Sequence, residues 1–138
     1  MLLHQAIKEH LEVDTSVSSL MGSRFFYGVI PQKITNDGAS RVPCVVFERR
    51  GVNRQVTYCG TNDLVQTLVT LDIYALTYTA ARQLAQEVRK SLIDFRGLLS
   101  GVVSVRAASL DTEFDLQDME PGLYRVSQSW TFWHEEEN

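Results

Sequence analysis

His4, His10, His134, Cys44 and Cys59 are the residues with which this chain could do nucleophilic or soft-metal chemistry. Nucleophilic catalysis needs a thiol or hydroxyl within reach of an imidazole, and none of the five sits in a recognisable nucleophile motif. His4 and His10 are six positions apart in a segment of helical periodicity. That spacing puts them on different faces instead of at the i, i+4 step that grips a metal, so both read as exposed helix residues. Cys44 lies in an apolar strand-like run and Cys59 in a turn-like one, with no CxxC pair, which predicts two free thiols in a reducing compartment. Asp111, Glu113, Asp115 and Asp118 offer the oxygen ligands that hard cations prefer. The first three, however, alternate along one face of a strand, where solvated charge is the ordinary outcome. No GxGxxG or GxxxxGK[ST] run is present to cradle a phosphate, and GTND at 60–63 is a turn signal. Catalytic residues, cofactors and bound metals are therefore not expected.

The other residues with a story to tell concern surfaces. Arg49, Arg50 and Arg54 cluster in FERRGVNR, which reads first as a charged hairpin edge that resists strand pairing. Trp130 matches an apolar face and reads as core, whereas Trp133 has the opposite parity, and an exposed Trp beside a long hairpin signals a protein interface. With 138 residues, 44% hydrophobic and 22% charged, the chain fits one globular domain. A net charge of −4 without a basic stripe disfavours direct nucleic-acid binding. No apolar run is long enough for a bilayer, and the charged start MLLHQAIKEHLEV lacks a signal-peptide core, which points to the cytoplasm.

The elements that must position these residues centre on 64–97, where the hydrophobic period changes from two to 3.6. Val65, Thr67, Val69, Leu71, Ile73 and Ala75 give a strand with one buried side. Ala81, Leu84, Ala85, Val88, Leu92 and Phe95 then give an amphipathic helix, capped by Thr77 or Thr79 and ended by Gly97. Residues 2–12 predict another amphipathic helix, 14–20 a short helix or turn, 24–30 a first strand and 44–47 a second. Residues 31–42 read as a long exposed loop, and 51–63 as a second loop or hairpin tip. Beyond Gly101, Val103 and Val105 share one parity and Leu110, Phe114 and Leu116 the other, so a bulge near Ala107 and Ala108 is expected. A turn at 119–122 leads to a last strand with Tyr124, Val126, Trp130 and Phe132 on one face, and the acidic end, 135–138, reads as frayed. The prediction is an α+β two-layer sandwich: one domain, a mainly antiparallel sheet of about five strands, and two helices on one face in the order α-β-β-β-α-β-β.

The whole pattern resembles the phage tail completion or tail terminator proteins. The likeness rests on LLHQAIKEHLEVDTSVSSLMGSRFFYGVIPQ, VPCVVFERRG, the strand ending DIYA with its TYTAARQLAQEVR helix, and LYRVSQSWTFWH, and covers nearly the whole chain. It implies a structural virion protein without enzyme activity, made in the host cytoplasm. Such a protein caps the tail tube and meets the head connector, typically as a six-fold ring through which DNA passes without specific binding. Its partners would be further copies of itself, the tail tube protein and the connector protein. Head-to-tail ring contacts need two different patches per subunit. The loops and their surroundings supply the expected interface residues Lys33, Asn36, Asp37, Arg41, Arg49, Arg50, Arg54, Tyr58, Asn62 and Trp133. Competing readings are a small dimeric ligand-binding or regulatory domain, a Cys-dependent enzyme using Cys44 or Cys59 with His134, and a neighbouring head-tail stopper or connector adaptor.

Overall fold

Alternation along residues 65–75 sets the architecture, because a strand apolar on one side must press that side against something. The computed structural model describes residues 2–22, 24–28, 43–57, 60–99, 101, 103–117 and 124–135, and the side chains of all of these except 54–57, 60–63 and 116–117. The expected loop at 31–42, Cys59, the turn at 119–122 and residues 136–138 lie outside the described residues.

The elements run α1 (Leu3–Val13), α2 (Thr15–Met21), β1 (Phe25–Tyr27), β2 (Cys44–Thr57), β3 (Gly60–Ala75), α3 (Tyr78–Leu92), β4 (Gly97–Leu99), β5 (Val103–Gln117) and β6 (Tyr124–Glu135). Six strands form one curled sheet in the order β1-β2-β3-β6-β5-β4. All neighbours are antiparallel except β1, which runs parallel to β2. The α+β class and the single, mainly antiparallel sheet agree with expectation. The counts do not: the described residues form three helices and six strands. β4 spans only three residues, too few to display an alternation, and α2 is a separate helix because Asp14 breaks from α1 and caps the next, accepting a bond from the Ser16 N–H at 3.0 Å.

Every odd position from Val65 to Ala75 is buried, and on β6 Val126, Gln128, Trp130 and Phe132 share that face. Onto it α3 lays Ala81, Leu84, Ala85, Val88 and Leu92. Thr77 is the N-cap, its Oγ1 accepting from the Ala80 N–H at 3.1 Å. The helix ends at Leu92, not at Gly97. Asp94 takes the left-handed conformation (φ 55°), and Gly97 (φ 117°) opens β4 instead. α1 adds Ala6, Ile7 and Leu11 to the same core, and α2 adds Val17 and Met21. On the other face a smaller cluster gathers Cys44 and Val46 with Phe26 and Tyr74.

Three further expectations are corrected. Residues 51–63 are largely ladder: β2 and β3 remain paired out to Thr57 opposite Gly60, because β3 supplies a continuous partner to residues whose glycines and asparagines suggest a loop. β1 is shorter than 24–30, ending before Gly28, which has φ 84°. His4 and His10 are partly buried, not free helix residues. His4 packs edge-on against Tyr27 at 4.9 Å, and His10 Nε2 donates to the Ser91 carbonyl at 3.1 Å while its ring meets Phe95. Glu135, expected in the frayed end, closes β6.

One polar residue sits fully inside the main core. Gln128 Nε2 donates to the Ala85 carbonyl at 3.0 Å and to Glu113 at 2.7 Å, and its Oε1 accepts from the Trp130 indole at 3.1 Å. Each buried polar atom of the amide is thereby satisfied. Gln128→Met keeps the volume but strands the indole N–H, so urea denaturation should show a loss of about 1–3 kcal/mol. Leu71→Ala should cost about 2–5 kcal/mol.

Candidate assembly surface

A strand edge without a neighbour exposes a row of N–H and C=O groups, and this sheet has two such stretches. β1 covers β2 only at Val45–Phe47, through Val45 N–H to Arg24 O at 3.0 Å and Gly28 N–H to Phe47 O at 2.8 Å. Among the described residues, 48–57 has no strand on that side. At the far margin β4 covers Val103 to Val105, and the Asp94 N–H extends the cover to the Ala108 carbonyl at 3.1 Å. Among the described residues, 109–117 is uncovered.

The β2 edge is basic. Arg50 lies in a bulge, where its Nε donates to Thr70 Oγ1 at 3.0 Å and its guanidinium stands 3.5 Å from Glu48. Arg49 is exposed on the helix-bearing side, and the backbone of Arg54 lies opposite Val65 in the ladder. Of the other sequence-predicted interface residues, Asn62 lies in β3, and Lys33, Asn36, Asp37, Arg41 and Tyr58 are outside the described residues. Trp133 is half-buried on the outer face, in the row where Asn53 Nδ2 donates to Gln66 Oε1 at 3.4 Å. The structure thus groups Arg49 and Arg50 at one edge and sets Trp133 two strands inward from Asn53.

The β5 edge is acidic, and its parity is not the expected one. Register shifts fall at Arg106, one residue before the expected bulge, and again at Asp111. The second shift reverses the alternation, so Leu110 and Phe114 do not share a face: Phe114 points outward and is 56% exposed, while Glu113 turns under α3. There Arg82 Nη1 donates to Glu113 at 2.6 Å and to Asp115 at 3.2 Å, and the Tyr78 hydroxyl donates to Asp115 at 2.8 Å. Asp111 accepts from Thr131 Oγ1 and, at 3.3 Å, from Ser109 Oγ. The carboxylates are engaged by arginine and hydroxyl donors, and no group of three or more metal-ligating side chains occurs among the described residues. The hydrogen bond to Glu113 raises the Arg82 pKa, and the bond to Asp115 raises that of Tyr78.

A cleft of about 240 Å³ opens beyond the start of α1, lined in part by Leu3, His4, Arg49, Thr67, Val103 and His134. His134 Nδ1 faces the Glu135 carbonyl at 3.1 Å and must donate to it, so in the neutral ring Nε2 accepts from Thr67 Oγ1 at 2.7 Å. Cys44 pairs with Tyr74 and His134 with Val65, nine positions along β3, so the two side chains stand roughly 30 Å apart along the strand. That separation removes Cys44 and His134 as a nucleophile and base.

A family model described as Tail completion protein gp17 matches residues 5–135, and the chain belongs to that family. It is a structural tail protein. Among solved structures, a chain of "Virion of native gene transfer agent (GTA) particle" superposes with a TM-score of 0.76 at 14% identity, over 96% of this chain and 94% of that one. No curated protein matches the sequence significantly.

Because the Tyr78 phenol is raised above its ordinary value of 10.0, the folded chain favours its protonated form. The associated stability is complete below that value and falls as pH rises through the raised pKa. Ultraviolet titration should show Tyr78 ionising late, together with Tyr27, whose phenol is raised by burial, and Asp115→Asn should bring Tyr78 alone back toward the ordinary range.

Proposed function

We propose that the protein caps the end of the tail tube and joins it to the head connector, as a closed ring of six copies. The family match carries this reading, since it runs from the first turn of α1 to the last residue of β6. In this reading the partners are further copies, the tail tube protein and the connector protein, and the role is structural, without catalysis. The acidic balance of −4 suits a channel for DNA, as a negative lumen repels phosphate. Lys33, Asn36, Asp37, Arg41, Arg49, Arg50, Arg54, Tyr58, Asn62 and Trp133 are the proposed contact residues.

Light scattering across concentration, with negative-stain images, tests the ring. Species of about six subunits are expected, formed alone or on added tail tubes that lack this protein. A strict dimer that ignores tail tubes would overturn the reading in favour of a binding domain.

A further inference from the structure

Val13 is the most exposed large apolar side chain among the described residues, at 79%. It ends α1, one residue before the break at Asp14 that separates α1 from α2. That break is a rotation about one bond. Asp14 has φ −69° and ψ 113°, so its φ is already helical and only ψ departs from the roughly −42° of a helix. The backbone ladder is helical on both sides of it: the Asp14 N–H donates to the His10 carbonyl at 3.2 Å and the Ser18 N–H to the Asp14 carbonyl at 2.8 Å, each reaching four residues back. Turning ψ would join α1 and α2 into one helix over 3–21. Leu3, Ala6, His10, Val13, Val17 and Leu20 then follow at alternating steps of three and four, a stripe apolar but for His10, with Val13 near its middle.

We propose that the α1–α2 junction is a two-position hinge, and that on assembly the helix straightens so that α1 of each copy fills the seat vacated by α1 of the next. The occupant is thus a second copy of this chain. Complementarity is already on display, because the seat is the one that α1 fits within a single copy. There α1 buries Ala6, Ile7 and Leu11, sets His4 edge-on to Tyr27 at 4.9 Å, and brings His10 to the Ser91 carbonyl and the Phe95 ring. An α1 arriving from a neighbour restores all of these contacts, and the straight helix adds Val13 to the apolar stripe.

The bend has its own lock. Asp14 Oδ1 accepts from the Ser16 N–H at 3.0 Å, a cap that exists only while α2 begins at residue 15. A free copy is held bent by that bond and by its own filled seat. Each copy gives one α1 and receives one, so the contact is head-to-tail and closes when the last copy passes its helix to the first. The exchange rests on the ring reading above for the number of copies alone.

Thr15→Pro tests the hinge. Position 15 opens α2, where proline fits, and proline holds the residue before it extended, as Asp14 already is. In a straight helix the same ring would clash with the Leu11 carbonyl. Thr15→Pro should therefore melt no lower than wild type, yet assemble about a hundredfold more weakly with or without tail tubes. Asp14→Ala, which removes the lock, should assemble severalfold more tightly. The exchange itself is read by mixing chains carrying His10→Cys with chains carrying Phe95→Cys, both with Cys44→Ala and Cys59→Ser, since these two rings lie 5.0 Å apart. A short bis-maleimide should link the two kinds of chain in mixed assemblies. That arm decides the matter even where a hinge variant folds poorly. Thr15→Pro assembling as tightly as wild type, or mixed assemblies without the link, would overturn the exchange and leave the ring reading standing. Linked chains that never grow beyond two copies would keep the exchange and overturn the ring. A wild-type protein that stays monomeric even on tail tubes would overturn both.

Discussion

The rest of the molecule depends on how α3 is seated across β3 and β6. Both strands turn a largely apolar face to the helix, and burial of Val69, Leu71, Ile73, Trp130 and Phe132 stabilises by about 1.5–3 kcal/mol per side chain before chain entropy is subtracted. Dispersion and burial alone would let the helix slide along such a surface. Gln128 removes that freedom, because its amide can satisfy the Ala85 carbonyl, Glu113 and the Trp130 indole together only at one position of α3. Once α3 is fixed, Arg82 and Tyr78 are fixed too, and they hold the carboxylates of β5 from the same helix.

That centre was the part most legible in the sequence. The odd positions of β3, the 3.6-residue spacing of α3, its Thr77 cap and the even face of β6 each follow from strong, uninterrupted periodicity. The margins were less legible for physical reasons. β4 is shorter than any pattern can reveal. In β5 two register shifts reverse the parity twice, so reading one bulge instead of two places Phe114 on the wrong face. The β2–β3 hairpin carries Gly51, Asn53 and Gly60, which locally favour turns, yet β3 offers a long partner and the tertiary ladder wins. His4 and His10 lie on a helix whose spacing cannot foretell that β1 and the end of α3 come back over them.

The candidate surface was legible in kind more than in place. Arginines at 49, 50 and 54 announce a guarded edge, and all three positions lie in β2, with Arg49 and Arg50 exposed. The acidic stretch of β5 looked like solvated charge. Asp111 and Asp115 are indeed exposed, and together with the half-buried Glu113 they also accept from Arg82, Tyr78, Thr131 and Gln128. Nothing in composition links the two edges, because their relation depends on the order of strands in the sheet.

The position of β6 has a consequence for how the chain acquires its shape. It lies between β3 and β5, although it follows both in sequence, and its pairing with β3 joins residues such as Leu64 and Glu135 that are far apart along the chain. The β2–β3 hairpin and α3 can form from local contacts, but β3 and β5 have no shared neighbour until β6 enters between them. Loop-closure entropy therefore falls late and on one strand, which makes entry of β6 the natural slow step of folding. Until that strand arrives both halves carry raw inner edges, and a nascent population would be prone to pairing with the wrong chain. Completion of β6 is thus a checkpoint in time: it hides the interior edges and leaves only the charged outer ones on display.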